Sequence, residues 1–180
     1  MIEIKITKSM LEFAAKKTKE AEAEKWNEDK SVTNFRARRA GFLGEAAFCE
    51  TFDAKSQNTF NHDAIRRGKL FDIKTKRSIY TPKVESWEGT VPAYSEQEPD
   101  YFAFLNIKFA ETTGKGPKKQ FFRPQMIYFG GVISYEDYLE KRYYVKAGEK
   151  YSTNTDSAHI SQWNIDWKDL KDISEIDLTN

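Results

Sequence analysis

Residues 60–76 read Phe-Asn-His-Asp-Ala-Ile-Arg-Arg-Gly-Lys-Leu-Phe-Asp-Ile-Lys-Thr-Lys. Two apolar runs in this stretch flank a basic turn, Arg66-Arg67-Gly68. Short apolar runs that are bounded by turn residues are typical of β-strands. The pattern therefore predicts two strands, over residues 57–65 and 69–77, joined by a tight turn.

Each of these two strands carries an acid. Asp63 ends the first apolar run, and Asp72 lies in the second run, two positions before Lys74. Because side chains alternate along a strand, Asp72 and Lys74 share one face while Phe71 and Ile73 point to the other. The hairpin thus presents two carboxylates and one ammonium group within a short span of sequence.

The Asp-x-Lys spacing alone is not specific, because it recurs elsewhere in the chain, for example at Asp166 and Lys168. Context separates the candidates. Only the pair Asp72 and Lys74 lies in an apolar strand that follows a turn and an acid-bearing strand. The competing interpretation is a set of solvated charges on an edge hairpin.

A helix predicted upstream, over residues 33–53, carries a third acid. At about 100° per residue its apolar side chains fall on one arc. They are Phe35, Phe42, Ala46, Cys49 and Phe52. Glu45 falls inside this arc, and a buried carboxylate is costly unless it is paired. Glu45 therefore needs a partner, which is either a cation such as Arg38 or a metal ion.

Three carboxylates and a lysine are the groups needed to hold Mg²⁺ beside a phosphodiester and hydrolyse it. Mg²⁺ prefers hard oxygen ligands and keeps several waters, so one to three carboxylates suffice. We expect Asp63 and Asp72 to be the primary ligands, with the carbonyl of Ile73 beside them and Glu45 completing the site. Lys74 would orient the attacking water and stabilise the charge on phosphorus. Without a metal, repulsion among the acids raises at least one pKa.

The order helix-Glu, strand-Asp, turn and Asp-x-Lys resembles the PD-(D/E)XK nuclease superfamily. The resemblance spans residues 33–133. Within it, residues 41–48 are similar to a Gly-x-x-Gly-Glu helix, and residues 63–75 to an Asp…(Asp/Glu)-x-Lys-Thr stretch. His62 stands where proline is usual, and Asp72 where glutamate is more usual. The resemblance implies a deoxyribonuclease that depends on Mg²⁺, with Mn²⁺ as a substitute.

The resemblance also implies an α/β fold with a restriction-endonuclease-like core, a mixed central sheet of four to five strands flanked by helices. We expect a single domain over residues 1–180. It would comprise an N-terminal helix in residues 1–30, a nuclease core in 31–142 and a C-terminal extension in 143–180. Tyr101 to Phe109 is a near-continuous apolar run, which predicts a central strand buried on both faces.

Other local signals are weaker. Residues 78–99 hold three prolines, Pro82, Pro92 and Pro99, and predict a long connection. Residues 125–133 predict a further strand, and Ser134 predicts the N-cap of a helix that follows it. Trp163, Ile165 and Trp167 alternate as in a strand.

Bulk composition limits the function. The net charge is +1 and there is one cysteine, Cys49, with two histidines, His62 and His159. These counts disfavour a disulfide, a thiolate zinc site and a histidine-rich metal site. No stretch reaches the length of a membrane span, and the first residues are charged. We therefore expect a cytoplasmic protein without a membrane partner.

With so small a net charge, contacts to DNA must be local. Basic side chains that are candidates for phosphate contacts are Arg38, Arg66, Arg67, Lys69, Lys76, Lys115, Lys118 and Lys119. Taken singly, each is more commonly part of a solvated surface. A homodimer is plausible, because cutting two strands often uses two sites.

Two other interpretations stay open. The chain is either a non-catalytic subunit of the same fold that binds nucleic acid or serves assembly, or an unrelated α/β interaction protein. The last one predicts that Glu45, Asp63 and Asp72 do not converge. The sequence does not separate DNA from RNA, or endonuclease from exonuclease action.

Overall fold

The computed structural model describes residues 1–23, 35–57, 62–114, 120–150 and 158–176. Three α-helices lie in this part of the chain: α1 (Lys8–Ala23), α2 (Phe35–Phe52) and α3 (Tyr135–Lys141). Nine strands accompany them: β1 (Ile2–Ile4), β2 (Lys55–Ser56), β3 (Ala64–Arg66), β4 (Lys69–Ser78), β5 (Glu88–Pro92), β6 (Tyr101–Thr113), β7 (Gln120–Ser134), β8 (Tyr143–Val145) and β9 (Gln162–Asp166). None of the described helices is long and apolar enough to cross a membrane.

The main sheet is mixed, as predicted, and has six strands in the order β1-β7-β6-β4-β3-β2. Strands β4 and β6 are parallel, and the other neighbours are antiparallel. The expectation of four to five strands was too low. The reason is that the two edge strands, β1 and β2, are only three and two residues long, too short to show a period of two.

Strand β6 is central and buried on both faces, which confirms the prediction from its apolar run. Phe102 and Phe104 face one core, with Tyr138 of α3. Ala103 and Leu105 face the other core, on the side of α1 and α2. Each face of the sheet is therefore covered by its own apolar layer.

The predicted hairpin is present. Arg67 and Gly68 both have positive φ, 48° and 77°, as the two central residues of a type I′ hairpin turn require. The first strand is shorter than predicted, because β3 begins at Ala64. Residues 58–61 lie outside the described part of the chain.

The segment over residues 78–99, predicted from its prolines to be a long connection, contains a β-strand. Strand β5 lies there and pairs with β9, and β8 completes a second, antiparallel sheet of three strands. A side chain at Gly89 would overlap the ring of Phe104, so glycine lets β5 lie directly on β6. The predicted C-terminal extension is thus joined to the predicted core through a shared sheet.

Helix α3 begins as predicted. Ser134 is its N-cap, and the Ser134 hydroxyl accepts a hydrogen bond from the N–H of Asp137 at 3.1 Å. The strand predicted from the alternation of Trp163, Ile165 and Trp167 is present as β9, although Trp167 belongs to a 3₁₀ turn that follows it.

Candidate active site

Asp63, the first acid of the hairpin, lies beside β4, next to the three residue pairs that join β3 to β4. The N–H of Asp63 donates to the carbonyl of Phe71 at 2.9 Å. Asp63 Oδ2 then accepts a hydrogen bond from the N–H of Ile73 at 2.7 Å. The carboxylate of Asp63 therefore lies against the backbone of the Asp-x-Lys motif.

Asp72 and Lys74 meet on one face of β4, as their spacing predicts. Asp72 is 1% exposed, and Lys74 Nζ lies 2.7 Å from Asp72 Oδ2. The contact is an ion pair without hydrogen-bond geometry, and within the described residues Asp72 Oδ2 has no hydrogen-bond partner. Lys74 Nζ also donates to Gln97 Oε1 at 2.9 Å. The charge of the buried Asp72 Oδ2 is therefore balanced by the adjacent ammonium of Lys74 and not by a directed hydrogen bond.

Helix α2 carries Glu45 to the same place because it crosses β4 at a glycine. Gly44 is buried, and any side chain there would overlap the hydroxyl of Thr75 on β4. The close approach of helix and strand at Gly44 sets the position of Glu45, the next residue. This contact gives a physical reason for the glycine that precedes the acid in the sequence.

Glu45 has an unusual protonation equilibrium. Burial, and to a smaller extent the charge of Asp72, raises its pKa from an ordinary value of 4.5 to about 7. The charges of Lys17 on α1 and Lys74 oppose this rise. The sequence left a cation or a metal as the partner of Glu45, and the cations that act on it here are these two lysines.

Asp63 responds to the same neighbours. Burial raises its pKa well above the ordinary value, and the charges of Glu45 and Asp72 add to the rise. The charge of Lys74 and the hydrogen bond from the N–H of Ile73 act in the opposite direction. The three acids and the lysine therefore lie close enough to influence each other. The interpretation as an unrelated interaction protein predicts instead that the acids do not converge.

The single cysteine belongs to this environment. Burial raises the pKa of the Cys49 thiol to about 12, and the charges of Glu45 and Asp63 contribute to the rise. Nucleophilic chemistry requires a thiolate. Cys49 is therefore a neutral, partly buried neighbour of the acids.

The residues present fit a small metal ion in part. Hard oxygen donors are available from Asp63 and Asp72, although Asp72 Oδ2 is paired with the ammonium of Lys74. However, no group of three or more His, Cys, Asp or Glu side chains in the described ranges is arranged to hold a metal ion. Since Mg²⁺ retains several waters, a site with one or two carboxylates remains compatible with it.

The basic side chains fall into two groups. Arg67 is exposed at the tip of the turn, and Lys69 and Arg38 are partly exposed. By contrast, Arg66 Nε donates to the carbonyl of Phe52 at the end of α2, at 2.7 Å. In this second group the cation contacts another part of the protein, and Lys76 also belongs to it. Lys115, Lys118 and Lys119 lie outside the described residues.

Lys76 is engaged inside the protein. Its Nζ lies 3.6 Å from Glu88 Oε1, and burial lowers its pKa to about 8. Glu88 in turn accepts hydrogen bonds from the hydroxyl of Tyr143 at 2.6 Å and the side-chain amide of Asn164 at 3.0 Å. The ammonium of Lys76 therefore links β4 to the second sheet, a role that its position in the sequence did not indicate.

Three residues near the acids escaped the sequence prediction. Lys17 acts on Glu45 from α1, Gln97 accepts from Lys74, and the charge of Asp72 contributes to a raised pKa of about 12 for Tyr138, for which burial is the main cause. None of the three lies in a motif. Each reaches the site from a distant part of the chain.

Sequence comparison adds no family assignment. No protein-family model matches this chain, and no curated protein sequence matches it either. The functional inference therefore depends on the order of the motifs and on the geometry described above.

Proposed function

We propose that this protein is a metal-dependent nuclease of the PD-(D/E)XK type that hydrolyses phosphodiester bonds in DNA. The observation that carries the proposal is the convergence of Glu45, Asp63, Asp72 and Lys74 at the edge of β4, where their charges act on each other. Raised pKa values among clustered acids are common at catalytic sites. The mixed sheet, with β4 and β6 parallel, supports a restriction-endonuclease-like core.

Each residue then has a role. Asp63 and Asp72, with the carbonyl of Ile73, would hold Mg²⁺ or Mn²⁺, and Glu45 would complete the site from α2. Bound there, the metal would supply an acidified water and neutralise charge on the phosphate. Lys74, held between Asp72 and Gln97, would place a positive charge beside the scissile phosphate.

Glu45 would have to ionise to serve as a ligand. Without a metal its pKa is about 7, so near neutral pH a fraction of the protein carries a protonated Glu45. A divalent cation at the site would favour the ionised form, and metal binding would therefore release part of a proton.

Binding of DNA would use local positive charge. Arg67, Lys69 and Arg38 present cations near the hairpin and the start of α2, and Lys115, Lys118 and Lys119 are further candidates from the sequence. Phosphate contacts of this kind give an affinity that falls as salt rises. Arg66 and Lys76 contribute through internal contacts instead.

The test is a cleavage assay on supercoiled plasmid, linear duplex and single-stranded DNA, with Mg²⁺, Mn²⁺ or EDTA. Wild type is compared with Lys74→Ala and with Lys168→Ala. Lys168 is a matched control, because it has the same spacing from an aspartate, Asp166, and pairs with it at 3.2 Å. We expect metal-dependent cutting that is lost in Lys74→Ala and kept in Lys168→Ala. Equal activity in all three proteins would rule out the assigned site.

The alternative is a non-catalytic subunit of the same fold that binds nucleic acid or serves assembly. It is favoured by the finding that no three-residue metal group exists among the described residues, and by the pairing of Asp72 with Lys74. Calorimetric titration with Mg²⁺ and Mn²⁺ separates the two functions. Binding that is lost in Asp72→Asn supports the nuclease, and no binding by wild type supports the subunit. Light scattering in the same samples measures whether the protein is a homodimer.

A further inference from the structure

Gln97, in the segment between β5 and β6, is the side chain that completes the surroundings of Lys74. Gln97 Oε1 accepts a hydrogen bond from Lys74 Nζ at 2.9 Å and another from the hydroxyl of Ser95 at 3.1 Å. On the other side, Lys74 Nζ lies 2.7 Å from Asp72 Oδ2. The ammonium is thus held between an amide oxygen and a carboxylate oxygen.

This arrangement restricts how Lys74 can act. An ammonium group carries three donors, and its tetrahedral geometry means that one directed hydrogen bond fixes the other two donor directions. The bond to Gln97 supplies that direction, since the contact with Asp72 lacks hydrogen-bond geometry. With a side chain that is 19% exposed, Lys74 has limited room to choose another orientation.

The segment that carries Gln97 is anchored on both sides. At one end, the N–H of Ser95 donates to the carbonyl of Pro92 at 3.0 Å. At the other, Asp100 Oδ2 accepts from the N–H of Leu70 at 2.7 Å, and the carbonyl of Asp100 accepts from the N–H of Tyr135 at 3.0 Å. Gln97 is therefore positioned by β4, β5 and α3 together.

The chemical type of the residue also matters. Glu96 and Glu98 flank Gln97 and are exposed, so the neutral amide occupies the position that meets Lys74. An amide oxygen orients the ammonium and leaves its positive charge in place. A carboxylate at this position would partly neutralise that charge.

We propose that Gln97 is the positioning residue for Lys74, setting the direction in which its ammonium faces a phosphate bound at the site. The inference rests on the proposed nuclease function. It adds to that function a residue from outside the motif, supplied by the connection over residues 78–99.

The first test observes Lys74 directly and does not depend on activity. Lysine ammonium signals are recorded by ¹⁵N correlation spectroscopy at low temperature and assigned with Lys74→Arg. We expect the Lys74 ammonium to be ordered in wild type, and to exchange rapidly with water in Gln97→Met, which keeps the side-chain length without the acceptor. Gln97→Glu retains an acceptor and is expected to retain the order.

Lys171 is the internal control for this experiment. Its Nζ lies 2.9 Å from Asp137 Oδ2 in a pair that does not include Gln97, so its signal is expected not to change. A Lys74 signal that is the same in wild type and Gln97→Met would overturn the proposal. Loss of the Lys171 signal as well would show general unfolding of Gln97→Met. Ser95→Ala, which removes the hydrogen bond that supports Gln97, is then tested in its place, and an unchanged Lys74 signal in Ser95→Ala would overturn the proposal.

The second test is kinetic. Misplacement of a catalytic group by about 1 Å costs on the order of 100-fold, so Gln97→Met is expected to lower kcat by up to that factor with little change in KM. In the Lys74→Ala background the same change is expected to have no further effect. An increase in activity would contradict the proposal, because it would mean that Gln97 blocks the lysine. If wild type cuts no DNA while the Lys74 ammonium still depends on Gln97, the proposed function fails and the positioning contact stands.

Discussion

Replacing Glu45 with glutamine is expected to make the protein more stable at alkaline pH. Burial raises the pKa of Glu45 from 4.5 to about 7, so the folded protein holds this proton more tightly than the unfolded chain. The stability that results is fully present below pH 4.5 and is lost as the pH rises through about 7. The difference between about 7 and 4.5 corresponds to about 3 kcal/mol of folding free energy at about 1.36 kcal/mol per pH unit.

This magnitude is an upper value because the site is shared. The charge of Glu45 raises the pKa of Asp63, so ionisation of Glu45 is partly offset by tighter proton binding at Asp63. Glutamine keeps the shape of the protonated carboxyl and removes the charge. The gain in stability for Glu45→Gln should therefore be small at pH 5 and approach about 3 kcal/mol at pH 9.

Urea unfolding at pH 5, 7 and 9 in EDTA measures this gain. Glu50→Gln is the matched control, because Glu50 lies on the same helix and is exposed. A gain for Glu45→Gln that is equal at pH 5 and pH 9, or absent at pH 9, would refute the reasoning. Adding Mg²⁺ at pH 9 gives a second comparison: under the proposed function, the metal stabilises wild type more than Glu45→Gln.

Two further predictions concern the surroundings of the site. Gly44→Ala should destabilise the protein by about 1–3 kcal/mol, because the new methyl group overlaps Thr75. At Gly41 a side chain meets nothing within 4 Å, so Gly41→Ala should be neutral or stabilising by about 0.5–1 kcal/mol. Thermal unfolding of the two variants measures both effects. Arg66→Ala should lower the free energy of unfolding by about 1 kcal/mol through loss of its hydrogen bond to the end of α2. Arg67→Ala should leave stability unchanged but weaken DNA binding and reduce the salt dependence of that binding. Unfolding experiments measure the first effect, and fluorescence anisotropy at several salt concentrations measures the second.

Local signals in the sequence were sufficient for the elements that are fixed by neighbours in the chain. The turn at Arg67-Gly68 and the N-cap at Ser134 each depend on a few adjacent residues. The meeting of Asp72 and Lys74 on one face follows from strand alternation alone. The continuous apolar run of β6 likewise reports its own burial on both sides.

Contacts between distant parts of the chain were not predictable in this way. Strand β5 is polar and ends in Pro92, and it forms because β9, more than 60 residues later, offers a partner. The same pairing buries Glu88, and Lys76 Nζ lies 3.6 Å from its carboxylate. Lys76 was assigned to DNA because it lies in a basic stretch, and its contact with β5 was not visible in the sequence.

Glu45 is the residue at which the sequence pattern and the structure both indicate an unusual carboxyl group. The helical pattern required a partner for its carboxyl, and the structure supplies two lysines, Lys17 and Lys74. Their charges do not offset burial and the charge of Asp72, because the pKa of Glu45 stays raised at about 7. The protonated and ionised forms of Glu45 are therefore similar in free energy near pH 7, and a divalent cation at the site would favour the ionised form. A structural ion pair would instead lower the pKa of its acid, so the two lysines do not hold Glu45 as an ordinary ion pair would.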